Sequence, residues 1–206
     1  MYPMSDQSHT VEINVDPLCP FAWVASRWLD GVAERRGVSV AWKQMSLAVL
    51  NEGQELDAER AARMEISWRA GRLLAAAADA SDVKDLYMAI GRRLHTEGLE
   101  FTDELARSAL VEVGSDPSLV SVMNDASRDD AVRKAHRLSQ EALGGTAGTP
   151  IIVIDGRAFF GPVLTEIPSP SEADRLFDAL TTLAGIPAFA QMERPMVGPP
   201  NLQENF

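Results

Sequence analysis

The chain has 206 residues, of which 30 are acidic and 19 basic, and its formal net charge is -11 at pH 7. A negative charge of this size argues against a partner with a phosphate backbone, so we expect no nucleic-acid binding. Hydrophobic residues make up 46% of the chain and charged residues 24%, proportions that are typical of a globular protein with its own core.

Other sequence patterns restrict where in the cell the protein is expected and which cofactors it is expected to bind. An apolar run of ~18 residues is absent, so we expect no membrane span. The first basic residue is Arg27, which leaves the start without the charged region of a secretory signal and favours the cytoplasm. Neither GxxxxGK[ST] nor GxGxxG occurs, so no nucleotide or flavin is expected, and His9, His95 and His136 lack the spacing of metal ligands. The oligomeric state stays open, a homodimer included.

The N-terminal part predicts a strand, a helix and a second strand. TVEINVDP, residues 10–17, alternates between apolar and polar side chains and ends at a turn. A helix follows, with Pro20 in its first turn and Gly37 as its C-cap. VSVAWKQM, residues 38–45, alternates again. This order within about 35 residues predicts a right-handed parallel βαβ unit.

The rest of the chain predicts helices and then a hairpin. Residues 55–145 have helical spacing throughout, including one helix over SDVKDLYMAIGRRLH that Ser81 or Asp82 is expected to cap. TPIIVID then predicts a strand, Asp155-Gly156 a two-residue turn, and RAFF the returning strand. A last amphipathic helix ends at Gly185, and an irregular tail follows.

The only cysteine, Cys19, lies between the first strand and its helix, and a single cysteine forms no internal disulfide. Free backbone N–H groups and the helix dipole favour an anion at a helix start. Lowering a thiol pKa from about 8.5 to about 6 requires about 3.4 kcal/mol, which helix-start cysteines achieve. Asp16 is expected to oppose this pKa shift or to shuttle protons. A small, inert, buried thiol is the alternative.

The order β-α-β, helices, β-β-α is that of the thioredoxin fold with an inserted all-helical domain, and it resembles the DsbA-like family. DPLCPFAWVASRW, MSLAVLNE and GTPIIVIDGRAFFGPVLTEIP resemble the mycothiol-dependent nitroreductases of actinobacteria within that family. The resemblance implies an α/β thioredoxin-like domain over residues 10–54 and 146–186. It also implies an inserted helical domain over 55–145 and a tail over 187–206.

The resemblance also implies roles for residues around the thiol. Cys19 becomes the attacking thiolate, and Pro20 begins its helix. Thr149-Pro150 becomes a cis peptide bond that faces the sulfur and offers main-chain hydrogen bonds to a bound thiol compound. Without the resemblance, Pro150 is a proline that opens a strand.

Four further residues are expected to line the substrate site. Phe21 is expected to be exposed beside the sulfur as an apolar wall. Asn51 lines the site or caps the following helix. Phe160 and Gly161 form the pocket rim, although a Gly-Pro turn explains them equally well.

The chain departs from the family pattern Cys-Pro-x-Cys, because Ala22 stands at the second cysteine. A tyrosine expected in LDAERAARM is also missing, which puts nitroreduction in doubt. Without a second thiol, an outside thiol must resolve any mixed disulfide. The resemblance therefore implies a monothiol oxidoreductase with no tightly bound cofactor. Its cosubstrate is mycothiol or a glutathione-like thiol, and its substrate is small and aromatic.

Two other functions stay open. Kappa-type glutathione transferases and hydroxychromene-carboxylate isomerases share this fold and need no second cysteine, which the Ala22 substitution favours. A binding protein that lost catalysis is the other alternative, and a Cys19 pKa above about 8 would favour it. Replacing Cys19 by serine separates redox turnover, which should vanish, from transferase activity, which should survive.

Overall fold

The structure, a computed structural model, describes residues 9–78 and 83–202. Ser81 and Asp82, the expected helix caps, lie outside these ranges. Within the described residues a single sheet forms in the strand order β2-β1-β3-β4. Its strands are β1 (Val11–Val15), β2 (Val40–Gln44), β3 (Ile151–Ile154) and β4 (Arg157–Phe160).

The pairing of the strands is that of the expected thioredoxin fold. β1 runs parallel to β2 and antiparallel to β3, and β3 pairs antiparallel with β4. Ile13 in the centre of β1 lies opposite Trp42 on one side and Ile152 on the other. β3 and β4 join through Asp155-Gly156, where both residues have positive φ, as a tight hairpin turn requires.

The first and the last α-helix end at the predicted glycines, Gly37 and Gly185. The α-helices are α1 (Pro20–Arg36), α2 (Leu47–Leu50), α3 (Ala58–Ala78), α4 (Val83–Gly91), α5 (Asp103–Glu112), α6 (Asp129–Leu143) and α7 (Pro170–Ala184). α1 ends at Gly37 in the left-handed conformation, and α7 begins with a capping box between Ser169 and Glu172. Residues 58–143, called the helical segment below, lie between β2 and β3.

Two parts of the helical segment differ from the predicted α-helices. The helix expected over SDVKDLYMAIGRRLH continues as a π-helix, Arg92–Thr96. Pro117–Asn124 forms a 3-10 helix. Gly91 stands where α4 meets the π-helix, and a Cβ there would lie 2.5 Å from two ring carbons of Trp23. The contact between α1 and the helical segment therefore requires a glycine at this position.

Aromatic side chains join the sheet to the helical segment. Trp23 of α1 and Trp42 of β2 both pack against the ring of Tyr87, at centroid distances of 6.4 and 5.8 Å. The Ser26 hydroxyl donates a hydrogen bond to the Tyr87 hydroxyl at 3.0 Å. This buried cluster fixes α1, and with it the residues at the N-terminus of α1, against α4.

Candidate active site

Cys19 is the N-cap of α1 and has an extended backbone conformation. The chain turns between β1 and α1, where the Cys19 N–H donates to the Asp16 carbonyl at 3.1 Å. Pro20 occupies the first helical turn, where its missing N–H costs nothing. The N–H of Ala22 donates to Cys19 Sγ at 3.4 Å, so the sulfur takes the place of the usual capping oxygen.

Thr149 lies opposite the thiol. Cys19 Sγ donates a hydrogen bond to the Thr149 carbonyl oxygen at 3.3 Å. The Thr149-Pro150 peptide bond is cis, as expected, and the Thr149 hydroxyl donates to the Asn14 carbonyl of β1 at 2.9 Å. β1 therefore fixes both the loop that carries the thiol and the loop that faces it.

The thiol is protonated in this arrangement. Cys19 is 8% exposed, and burial raises its pKa to about 11, with a further contribution from the charge of Asp16. The N–H groups of Ala22 and Phe21 and the charge of Arg63 lower the pKa, but they do not offset burial. The expectation of a thiolate at neutral pH is therefore wrong for this arrangement, because desolvation exceeds the effect of the helix N-terminus.

Asp16 is buried and binds three donors. Its Oδ1 accepts from the Leu18 N–H at 2.8 Å, and its Oδ2 accepts from the Leu47 N–H and the Ser67 hydroxyl, both at 2.7 Å. Ser67 in turn accepts from the Ala48 N–H at 3.1 Å. Burial raises the pKa of Asp16, and the three hydrogen bonds act in the opposite direction. Asp16 therefore joins β1, α2 and α3 beside the thiol and raises the pKa of Cys19.

His95 of the π-helix also contacts the loop before the thiol. Its Nε2 lies 2.7 Å from the Pro17 carbonyl oxygen, and its ring stacks on Trp23 at 5.9 Å between centroids. Burial lowers the pKa of His95. A neutral His95 ring with its proton on Nε2 donates this hydrogen bond to the Pro17 carbonyl, so the bond does not require a charged histidine.

The expected aromatic wall differs from the structure at Phe21. Phe21 is half-buried because it packs against the hydrophobic core, so the expectation of an exposed ring is wrong. Phe160 at the end of β4 is 53% exposed. A Cβ on Gly148 would lie 3.8 Å from the Phe160 ring, which places this ring beside the loop of Thr149.

Gly161 and Asn51 have structural partners. Gly161 has a φ of 106°, which favours glycine, and its N–H donates to the Pro150 carbonyl at 2.8 Å. Asn51 is the C-cap of α2, and its amide donates to the Leu47 carbonyl at 2.7 Å. Because α3 begins only at Ala58, Asn51 does not cap the following helix as the alternative expected. A second contact joins its amide to the sulfur of Met64 at 3.6 Å.

Three residues of the helical segment next to the thiol loop were not identified from the sequence: Arg63, Ser67 and His95. The sequence held one local signal that the helical segment packs closely near the thiol loop, namely Gly91. A glycine inside a helical pattern costs about 1 kcal/mol and therefore indicates close packing. In the described part of the chain no group of three His, Cys, Asp or Glu residues has the geometry of a metal site.

Comparisons with known proteins agree with this geometry. Residues 18–194 match the family described as Rv2466c-like, mycothiol-dependent nitroreductase Rv2466c. The chain belongs to the Rv2466c-like family. It is also 33% identical to the uncharacterized protein Rv2286c of Mycobacterium tuberculosis, over 90% of this chain and 82% of that protein.

Solved structures with the same fold are DsbA-like oxidoreductases. A probable DsbA oxidoreductase SCO1869 from Streptomyces coelicolor is 19% identical, with a TM-score of 0.57 over 91% of this chain and 94% of that one. The cytosolic disulfide reductase DsbM from Pseudomonas aeruginosa, solved with GSH, is 16% identical, with a TM-score of 0.56 over 84% and 99%. The chain therefore has the DsbA-like thioredoxin fold. Its membership of the Rv2466c-like family makes it a thiol oxidoreductase in general terms. None of the helices in residues 9–78 and 83–202 is long and apolar enough to span a membrane.

Proposed function

We propose that the protein is a monothiol oxidoreductase in which Cys19 forms a mixed disulfide with a low-molecular-weight thiol, and that this thiol is mycothiol. The observation that carries the proposal is the position of Cys19 Sγ at the start of α1, 3.3 Å from the Thr149 carbonyl. Family membership supports mycothiol as the cosubstrate. We place the reaction in the cytoplasm, where small thiols are kept reduced.

In its simplest form the proposed cycle consumes one small disulfide and one small thiol. The Cys19 sulfur attacks a disulfide R–S–S–R′, forms Cys19–S–S–R and releases R′–S⁻, which takes up the proton that the Cys19 thiol lost. A second thiolate then attacks the adduct, forms a new small disulfide and restores Cys19. Ala22 carries no thiol, so this second step comes from outside the chain.

The raised pKa of Cys19 sets a condition on the first step. At neutral pH the Cys19 sulfur keeps its proton, and the thiol donates a hydrogen bond to the Thr149 carbonyl oxygen. Attack begins only after that proton leaves, so we expect the rate of adduct formation to rise with pH toward about 11.

We propose small aromatic compounds, nitroaromatics among them, as substrates. Phe160 supplies an exposed ring beside the Thr149 loop, and the apolar Leu18, directly before the thiol, is half-buried against the core, as Phe21 is. With a nitro compound as the oxidant, the Cys19 thiol and one small thiol RSH together supply two electrons and two protons, which gives Cys19–S–S–R, a nitroso group and one water. A second small thiol then attacks the adduct, leaves as part of the disulfide R–S–S–R and restores Cys19.

Mass spectrometry after incubation with oxidised mycothiol tests the proposal. We expect one adduct on Cys19 of the wild-type protein and none on the Cys19→Ser variant. Oxidised glutathione, run in parallel, identifies the preferred small thiol. An intact wild-type protein without any adduct overturns the redox function.

The buried thiol with its raised pKa favours two other candidates. A thiol-dependent transferase or isomerase activates the bound small thiol instead of its own sulfur, and a binding protein needs no reactive sulfur. The Cys19→Ser variant separates the candidates. Full loss of turnover supports the redox cycle, whereas a rate close to wild type supports the transferase or isomerase. A wild-type protein that binds the aromatic compound without turnover supports a binding protein.

A further inference from the structure

An arginine of the helical segment lies against the residue that precedes the thiol. Arg63 Nη2 lies 3.4 Å from the Leu18 carbonyl oxygen. Arg63 belongs to the first half of α3, which is largely exposed, while the second half, from Ser67 onward, is largely buried. The exposed half of α3 therefore brings a positive charge to the open side of the Cys19 loop.

Arg63 differs from the other arginines of its helix in its partners. Arg60, Arg69 and Arg72 each form an ion pair with an aspartate, respectively Asp57, Asp103 and Asp129. In the described residues Arg63 has no carboxylate within 4 Å and only the Leu18 carbonyl as a hydrogen-bond acceptor. Its charge is therefore not neutralised by a direct partner.

The charged groups that face Cys19 are few. Asp16 and Arg63 act on the thiol with opposite signs, and the buried Tyr87 hydroxyl is neutral. Cys19 is 8% exposed and Asp16 is buried, so the charge of Asp16 is screened little, whereas the exposed Arg63 is screened more strongly by solvent. Arg63 also acts on Asp16 and His95.

We propose that Arg63 is a positioning residue that stabilises the sulfur anions formed at Cys19. The proposal rests on the function proposed above, in which each half of the cycle starts from a thiolate and releases a thiolate. A thiolate at Cys19 cannot keep its hydrogen bond to the Thr149 carbonyl, because the proton of that bond has left. The Arg63 guanidinium then provides a positive charge that acts on the sulfur, and the charge of Asp16 acts against it.

The rate at which iodoacetamide alkylates Cys19, measured as a function of pH, tests the role of Arg63. The reagent is neutral, so attraction of an anionic substrate does not contribute to the rate. We expect Arg63→Gln to lower the rate at neutral pH about threefold and to move the profile up by about half a pH unit. Arg63→Lys keeps the charge and should restore most of the rate.

Arg60→Gln is the matched control, because Arg60 lies one turn earlier on the exposed half of the same helix and pairs with Asp57. It should leave the alkylation rate and the pH profile unchanged. Denaturant unfolding of all variants identifies any loss of folded protein. If Arg63→Gln does not fold, Arg63→Met is used in its place.

An Arg63→Gln profile identical to wild type overturns the proposal, and so does an equal shift in Arg60→Gln. The assay uses no mycothiol, so it distinguishes the two proposals. If alkylation depends on Arg63 but no mycothiol adduct forms, the role of the Arg63 charge is supported and only the proposed redox cycle is overturned.

Discussion

His95 Nε2 lies 2.7 Å from the Pro17 carbonyl oxygen, although the two residues are 78 positions apart in the chain. This hydrogen bond joins the π-helix to the loop that ends two residues later at Cys19. The helical segment thus contacts the thiol loop at two successive carbonyls, that of Pro17 through His95 and that of Leu18 through Arg63.

The His95–Pro17 bond can be removed without removing the ring. His95→Phe keeps a ring against Trp23 but leaves the Pro17 carbonyl without its donor, so we expect a loss of about 1 kcal/mol in the free energy of unfolding. His95→Gln keeps a donor and should lose less. Urea unfolding at neutral pH measures both, and a His95→Phe variant as stable as wild type contradicts the prediction.

The lowered pKa of His95 predicts a pH dependence. Burial lowers the pKa in the folded state, so the unfolded chain binds the proton more tightly, and stability is lost as pH falls from about 6.5 through the lowered value. His95→Gln should reduce this loss. His136, whose pKa burial also lowers, contributes in the same direction. His95→Gln, the corresponding glutamine variant of His136 and the double variant are therefore compared by unfolding between neutral and acid pH. The reductions in the acid loss of stability should add in the double variant.

The raised pKa of Cys19 predicts a loss of stability on the alkaline side. The folded state holds the thiol proton more tightly than the unfolded state, so stability is fully present below pH 9 and falls as pH rises toward 11. A shift of about two pKa units corresponds to a loss of about 3 kcal/mol. The difference in unfolding free energy between wild type and Cys19→Ser isolates this group, and a difference that stays constant over this pH range contradicts the prediction.

Asp16→Asn should have opposite effects on the thiol and on the fold. Removing the charge removes one cause of the raised pKa of Cys19, so thiolate absorbance should appear at lower pH. The amide has one acceptor oxygen for the three donors that the carboxylate accepts, and we expect a loss of about 1–3 kcal/mol in stability. Asp130→Asn is the control, since the Asp130 side chain is 98% exposed.

Gly91→Ala should destabilise the protein. The new methyl group would lie 2.5 Å from two carbons of the Trp23 ring, which is itself buried and cannot move aside. Overpacking of this kind costs about 1–3 kcal/mol. Gly145→Ala is the matched control, because a Cβ at that position would meet no atom within 4 Å and the φ of Gly145 is not positive. Urea midpoints of the two variants compare them directly.

The features predicted correctly from the sequence are local. Alternation over residues 11–15, the Asp155-Gly156 turn and the glycines at helix ends each depend on a few neighbouring residues. Their order then restricted the fold to the thioredoxin arrangement, because few topologies join a βαβ unit to a hairpin and a helix.

The environment of the thiol could not be predicted in the same way. The sequence places Cys19 at a helix start, which favours an anion, but the residues that bury the sulfur come from distant parts of the chain. Thr149 lies 130 positions away and Ser67, which holds Asp16, lies 51 positions from it. Desolvation depends on this packing, and it decides the direction of the Cys19 pKa shift.

Ala22 is fully buried, and its N–H already points at the Cys19 sulfur. The chain thus keeps the backbone of a two-cysteine motif without its second sulfur. Any group attached to Cys19 through sulfur must wait for a molecule from the surroundings to remove it, so the lifetime of the attached state would follow the local supply of free thiols.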